Sequence, residues 1–177
     1  MPNTKDKPPQ KRVRKTRKPR QNDYDTPWKE AIELYFRDFM AFYFPEQAEE
    51  LDWSQPHRFL NQELAKSLRN ARVGKRIADR LVEVNLLNGE KACIYIHIEL
   101  QGQRETKFTE RVFIYNYRIF DRFHRPVATL VILMDDEPGW RPNRYGYDVL
   151  GTRHSLEFPT VKLLDYRPDI DQLLTED

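Results

Sequence analysis

The stretch that decides the fold covers residues 77–101 and reads IADRLVEVNLLNGEKACIYIHIELQ. Apolar and polar side chains alternate on both sides of Asn88-Gly89, which is typical of two half-buried strands joined by a tight turn. We therefore expect an antiparallel hairpin with strands at residues 77–87 and 91–101. One face of its second strand is aliphatic. The other face carries Cys93, Tyr95, His97, Glu99 and Gln101.

The length of the turn decides which residue of the second strand lies opposite Asp79. A strict two-residue Asn-Gly turn would place Asp79 opposite Ile98, on the aliphatic face. A three-residue loop, or one bulge, would place Asp79 opposite His97 or Glu99 instead. We predict the longer loop or a bulge, because either one brings two carboxylates of the hairpin to the same face.

Two carboxylates that converge at strand ends disfavour each other's charge unless a cation neutralises them. Carboxylate oxygens are ligands that Mg²⁺ and Mn²⁺ accept. An ion held by Asp79 and Glu99 could activate water and stabilise the charge that develops on a phosphodiester. Glu63 lies among the apolar positions of a predicted helix and could reach the same cluster. The alternative for each of these residues is an exposed carboxylate, which is the usual state of an acidic side chain.

The other predicted elements follow the order of an α/β domain. Apolar residues at helical spacing alternate along the chain with short β-branched runs, and a Thr26-Pro27 pair begins the first helix. The predicted helices cover residues 26–44, 46–51, 58–71 and 105–123, and the remaining predicted strands cover residues 126–134, 145–150, 155–158 and 161–164.

Composition limits the class of protein. The chain has 177 residues and one cysteine, which excludes an internal disulfide framework and a multi-cysteine zinc site. The longest apolar run, residues 127–134, is far shorter than the roughly 20 residues of a membrane helix, and charges occupy the place of a secretory apolar segment. We expect a soluble protein that binds no membrane and depends on an apolar core.

The near-neutral net charge conceals a strong segregation. Residues 1–22 hold nine Lys or Arg against one Asp, a net charge of +8, and residues 23–177 carry −6. With four prolines and little apolar surface, residues 1–22 are predicted to be a disordered basic arm before a folded domain at residues 23–177. Such an arm favours contact with DNA phosphates, and the alternative is a solubilising extension. The candidate DNA-binding residues are Lys11, Arg12, Arg14, Lys15, Arg17, Lys18, Arg20, Gln103 and Arg104.

Several motifs resemble a known nuclease family. The runs RIADRLVEV at residues 76–84 and IHIELQ at residues 96–101 resemble motifs II and III of the PD-(D/E)XK nuclease superfamily. The closer resemblance is to the Rpn-like family of recombination-promoting nucleases and transposase-like proteins. It extends over nearly all of residues 24–166 and includes YNYR at residues 115–118 and WRP at residues 140–142.

The resemblance implies a restriction-endonuclease-like mixed β-sheet flanked by helices, and Mg²⁺- or Mn²⁺-dependent cleavage of DNA in recombination or transposition. It implies that Asp79 and Glu99 are metal ligands and that Glu63 completes the metal or water shell. Gln101 stands where the superfamily archetype has a lysine, and its amide can still orient a water or a phosphate. The alternatives are a catalytically inactive DNA-binding module and a protein-interaction domain of the same fold.

The resemblance also points to a cellular setting and an assembly. Proteins of this kind act in the bacterial cytoplasm, which predicts association with the nucleoid. Nucleases that cut both strands commonly work as dimers, so a homodimer is included among the expected partners of the chain.

Three further features have two interpretations each. His97 could be a ligand or proton carrier, or a hydrogen-bonded structural residue. The acidic run at residues 135–137 could bind metal, or it could be a solvated turn before Pro138. The aromatic helix at residues 105–123 could present arginines to DNA, but its aromatic side is predicted to pack in the core.

Overall fold

The computed structural model describes residues 22–62, 79–99 and 107–166. Its mixed α/β fold is built on one five-stranded sheet and one two-stranded hairpin. The strands are β1 Arg58–Phe59, β2 Arg80–Asn85, β3 Lys91–Glu99, β4 Val127–Leu133, β5 Arg144–Val149, β6 Thr152–Glu157 and β7 Thr160–Lys162. The large sheet has the order β1-β2-β3-β4-β7. Its β1–β2 and β2–β3 pairs are antiparallel, and its β3–β4 and β4–β7 pairs are parallel.

Helices cover both faces of this sheet. Helix α4 connects the parallel strands β3 and β4, as a crossover connection requires. Among the described helices, none is both long and apolar enough to cross a membrane. The helices are α1 Asn22–Leu34, α2 Phe36–Tyr43, α3 Pro45–Glu49 and α4 Phe108–Phe123, and a 3₁₀ turn follows at Leu163–Tyr166.

The alternation of the strands separates two cores. The apolar even-numbered residues of β2, β3 and β4 pack against α1, α2 and α3 in a cluster around Val82, Ile94 and Ile96. Odd-numbered residues point to α4, where Leu81 and Tyr95 pack against Tyr115 of the helix. The α4 face also receives the polar side chains of the hairpin. The fold therefore places those polar side chains between the sheet and a single helix.

The hairpin register agrees with the prediction of a longer loop. The Leu86 N–H donates to the Glu90 carbonyl over 2.8 Å, which leaves three residues, 87–89, in the loop. Gly89 has φ +85°, a left-handed conformation that glycine adopts without steric cost. The ladder pairs Arg80 with Ile96, so Asp79 comes opposite His97.

Two helix predictions were wrong in their bounds. The single helix predicted for residues 26–44 is bent at Tyr35 (φ −122°, ψ 34°), although Tyr35 still donates to the Ala31 carbonyl. The bend lets the apolar sides of α1 and α2 both reach the sheet. The helix also begins earlier, at Asn22, so Pro27 lies inside α1 rather than at its first position.

The start of the helix predicted for residues 58–71 is also wrong. Residues 58–59 form the edge strand β1, in which Arg58 lies opposite Glu83 and Phe59 opposite Val82. Pairing with a strand far along the chain here outweighs the local helical pattern. Helical conformation begins at residue 61, and the rest of the predicted helix lies outside the described residues.

The β5–β6 hairpin packs on α4. Its two-residue turn, Leu150-Gly151, has positive φ at both positions (50° and 78°), as a type I′ turn requires. A Cβ atom on Gly146 would lie 2.7 Å from the carbonyl oxygen of His154 on the paired strand, so only glycine fits there. The Phe113 ring of α4 lies 5.1 Å from the Tyr145 ring of this hairpin.

Candidate functional site

A buried carboxylate–imidazole pair lies where β2 begins, on the face of the sheet that α4 covers. The Nδ1 atom of His97 lies 2.6 Å from Oδ1 of Asp79. The side chains are 3% and 5% exposed, respectively. A hydrogen bond of this length between desolvated groups is typical of an interaction with an ionised partner.

The second oxygen of Asp79 has a different environment from the first. Oδ2 is buried and has no hydrogen-bond partner in the described part of the chain. Leaving a buried carboxylate oxygen unpaired is costly, and such oxygens are commonly satisfied by a further donor or by a cation. Asp79 therefore offers one oriented oxygen to a ligand.

Aromatic rings and one arginine surround this pair. The Tyr95 hydroxyl lies 3.2 Å from Nδ1 of His97, and the His97 ring lies 5.6 Å from the Phe108 ring. The guanidinium of Arg111 lies 5.4 Å from the centre of the same Phe108 ring. Arg111 is only 9% exposed. The site thus combines a buried anion with a buried cation on the helix that covers it.

Glu83 lies in β2, on the face that Asp79 is predicted to share, but its carboxylate is already paired and is not free to bind a ligand. Its carboxylate pairs with Arg58 over 3.4 Å and also with Arg125. Two cations therefore neutralise Glu83. Of these two carboxylates, Asp79 is the one with a buried oxygen that has no described hydrogen-bond partner.

The other predicted site residues lie partly or wholly outside what the structure describes. Glu99 is the last residue of β3, and its backbone pairs with Leu133 of β4. Its side chain is not described. The remaining predicted catalytic, metal and DNA-binding residues also lie outside the described ranges: Glu63, Gln101, Gln103, Arg104, Lys11, Arg12, Arg14, Lys15, Arg17, Lys18 and Arg20.

Of the predicted metal ligands, only Asp79 has a described side chain. Within residues 22–62, 79–99 and 107–166, no three His, Cys, Asp or Glu residues are grouped so that they could hold a metal ion. The unpaired Oδ2 of Asp79 fits one ligand position of a hard divalent cation.

Within the acidic run at residues 135–137, Asp136 and Glu137 are exposed, as the predicted solvated turn requires, but Asp135 is buried. Asp135 Oδ1 lies 2.5 Å from the ammonium of Lys162, and the two side chains are 1% and 0% exposed. Lys162 also donates to the Trp140 carbonyl over 3.3 Å. The prediction failed for Asp135 because β7 pairs beside β4 and brings a lysine from 27 residues further along the chain.

Helix α4 only partly follows its predicted division into an aromatic core side and a basic outer side. Tyr115 is fully buried, as predicted, but Tyr117 and Phe120 are 56% and 48% exposed. Arg111 lies inside. Tyr95 and Arg111 are the site residues that sequence reasoning missed. The alternation that placed His97 on this face also assigned Tyr95 to it, so Tyr95 could have been found.

A separate apolar groove of about 530 Å³ lies on the outer side of α1 and α2. Its lining includes Trp28, Phe39 and Tyr43, and burial, followed by the proximity of Tyr166, raises the pKa of Tyr43. None of the hairpin's polar residues lines it. The groove is therefore distinct from the Asp79–His97 site.

The geometry defines a buried, oriented acceptor at the junction of two strands, which suits the binding of a cation or of a donor group. Comparison of the chain with protein families, with curated proteins and with solved structures gave no match. The nuclease interpretation therefore depends on the quoted motifs and on the chemistry of this site.

Proposed function

We propose that this chain is a metal-dependent nuclease that hydrolyses phosphodiester bonds in DNA, with Mg²⁺ or Mn²⁺ as its cofactor. The observation that carries the proposal is Asp79, the predicted motif II acid. It is buried, held at Oδ1 by His97, and without a described partner at Oδ2. Asp135 also keeps an unpaired oxygen, but its other oxygen faces the Lys162 ammonium, whereas that of Asp79 faces an imidazole, which leaves Asp79 better suited to receive a cation.

The residues that would hold the ion are Asp79 and Glu99, with Glu63 in support. Sequence alternation predicts that Glu99 shares the face of His97, and Glu99 is two residues further along β3 than the residue opposite Asp79. Side chains at such diagonal positions lie within about 7–8 Å of each other, which one shared cation can span. The bound ion would supply Lewis acidity and an activated water.

The remaining roles belong to groups of the chain itself. The Gln101 amide would orient the attacking water or the scissile phosphate. The basic arm at residues 1–22 would supply affinity for DNA that a domain of net charge −6 lacks. A nuclease of this kind would act on the bacterial nucleoid in recombination or transposition, and it would cut both strands as a homodimer.

The test is conversion of supercoiled plasmid to nicked or linear forms at low salt, with Mg²⁺, Mn²⁺ or EDTA. We expect metal-dependent nicking by the wild type and its loss in Asp79→Asn, which preserves the size of the side chain. Asp148→Asn is the matched control, since Asp148 is an exposed aspartate on the β5–β6 hairpin. Intact plasmid with every metal ion would contradict the nuclease proposal.

The DNA-binding part is tested separately. Glutamine in place of the Lys and Arg residues of the arm should weaken binding of a labelled duplex and flatten its dependence on salt. Fluorescence anisotropy across a salt series measures both effects. DNA binding without cleavage would favour the inactive DNA-binding module, and unchanged affinity after neutralising the arm would remove the assigned role of residues 1–22.

A further inference from the structure

We propose that His97 is a positioning residue for Asp79, an inference that rests on the proposed function. Its Nδ1–H would hold one carboxylate oxygen so that the other, Oδ2, is presented to the divalent cation. His97 would thus act on the metal through Asp79 and would not bind the metal or the DNA. Tyr95 and Phe108 would keep the imidazole in the required orientation.

The contact itself determines which group donates. An ionised carboxylate only accepts hydrogen bonds, so Nδ1 of His97 carries the proton in a bond to Asp79. The distance of 2.6 Å and the burial of both side chains make this a strong, water-excluded bond. The same nitrogen is 3.2 Å from the Tyr95 hydroxyl, so the shorter contact to Asp79 is the stronger of the two.

The imidazole is held more firmly than the carboxylate. His97 lies inside β3, with its backbone paired to Val131 of β4, and its ring lies 6.0 Å from Tyr95 and 5.6 Å from Phe108. Asp79 precedes the first residue of β2. The strand ladder therefore does not extend over Asp79, and the described contact that fixes the direction of its carboxylate is the one to His97.

Partners of this kind matter to metal binding. Groups that hydrogen-bond to metal ligands fix their orientation, and removing them typically lowers metal affinity about ten- to a hundredfold. A histidine that served only to satisfy a buried polar group would change stability and leave metal affinity unchanged. Metal affinity in the folded variant separates the two roles.

The experiment titrates full-length protein with Mn²⁺ by isothermal calorimetry. His97→Leu removes the donor, and we expect it to weaken Mn²⁺ binding about ten- to a hundredfold. His97→Asn places an amide N–H near the position of Nδ1 and should recover most of the affinity. Asp148→Asn, at an exposed aspartate of the β5–β6 hairpin, is the control and should bind Mn²⁺ as the wild type does.

A second readout and a second variant keep the outcomes distinct. In plasmid nicking, His97→Leu should raise the Mn²⁺ concentration needed for half-maximal rate more than it lowers the rate at saturating metal. Circular dichroism reports folding, and if His97→Leu does not fold, His97→Met, which also lacks an N–H donor, replaces it with the same expectation. Wild-type Mn²⁺ affinity in the folded variant overturns the role of His97 alone. Absence of Mn²⁺ binding by the wild type overturns the proposed function as well.

Discussion

Asp79 and Asp135 are both buried aspartates next to strands of the same sheet, and each has one oxygen without a described hydrogen-bond partner. Their other oxygens differ in partner. Asp135 faces the ammonium of Lys162, which is itself fully buried. Asp79 faces the imidazole of His97, which carries charge only when protonated.

The difference teaches how to separate an internal ion pair from a candidate ligand. The Lys162 charge cancels that of Asp135 within the protein, so the pair needs nothing further to be neutral. The His97 bond orients Asp79 without supplying a fixed countercharge. An incoming cation would neutralise the Asp79 carboxylate, whereas it would disturb the existing ion pair of Asp135 with Lys162.

The largest expected effect comes from breaking the Asp135–Lys162 pair. Lys162→Met leaves Asp135 as an uncompensated buried charge, and we expect a loss of about 3–5 kcal/mol in the free energy of unfolding. Urea denaturation measures it. The double variant Asp135→Leu/Lys162→Met should recover much of the loss, because it removes both charges together. A loss below about 1 kcal/mol in Lys162→Met would show that the pair is more solvated than its geometry indicates.

The comparison is sharpened by making the same substitution at both aspartates. Asp135→Asn leaves the Lys162 ammonium without its countercharge and should cost about 3–5 kcal/mol of unfolding free energy. Asp79→Asn keeps an acceptor for His97 and removes an unpaired buried charge, so its unfolding free energy should change by about 1 kcal/mol or less. Equal losses in parallel urea titrations would contradict the distinction between the two sites.

The smallest expected effect on stability comes from the exposed ion pair of Arg141 and Asp165. Hydrogen bonds from Arg141 at 2.6 and 2.7 Å hold the pKa of Asp165 below its ordinary value, helped by Coulombic attraction to Arg141 and Lys162. A lowered carboxyl pKa gives stability that is present above the ordinary pKa and is lost as the pH falls through the folded-state value.

Asp165→Asn should therefore lower stability slightly at neutral pH, and the difference from the wild type should begin to shrink near the ordinary aspartate pKa of about 4 and vanish as the pH falls through the lower folded-state pKa. Thermal melts across a pH series measure this. Because both side chains are 47% exposed, solvent and salt weaken the pair, and the effect should shrink further in high salt. A difference that grows as the pH falls would contradict the direction of the pKa shift.

The hairpin shows how much of the site the sequence could predict. Alternation placed Tyr95, His97 and Glu99 on one face, and the Asn88-Gly89 signal located the turn. The register needed one further step, the choice of a longer loop, and the structure confirms it through the Leu86–Glu90 hydrogen bond. These features are local, because loop length and residue parity together fix which side chains meet.

The misses have a common physical origin. The bend at Tyr35, the edge strand at residues 58–59 and the burial of Asp135 all depend on elements that are distant in the chain. An acidic run before Pro138 has the composition of a solvated turn, and only the arrival of Lys162 beside it changes its environment. Local patterns contain no information about that pairing.

The sequence by itself determined the mixed α/β class, the hairpin and the face on which Asp79, His97 and Glu99 were placed. Periodicity and turn chemistry act over a few residues, so they can be read without knowledge of the rest of the fold. The tertiary structure decided which buried carboxylate would face the ammonium of a lysine and which would face an imidazole. That outcome depends on which charges the packing of strands and helices brings within hydrogen-bonding distance while excluding water.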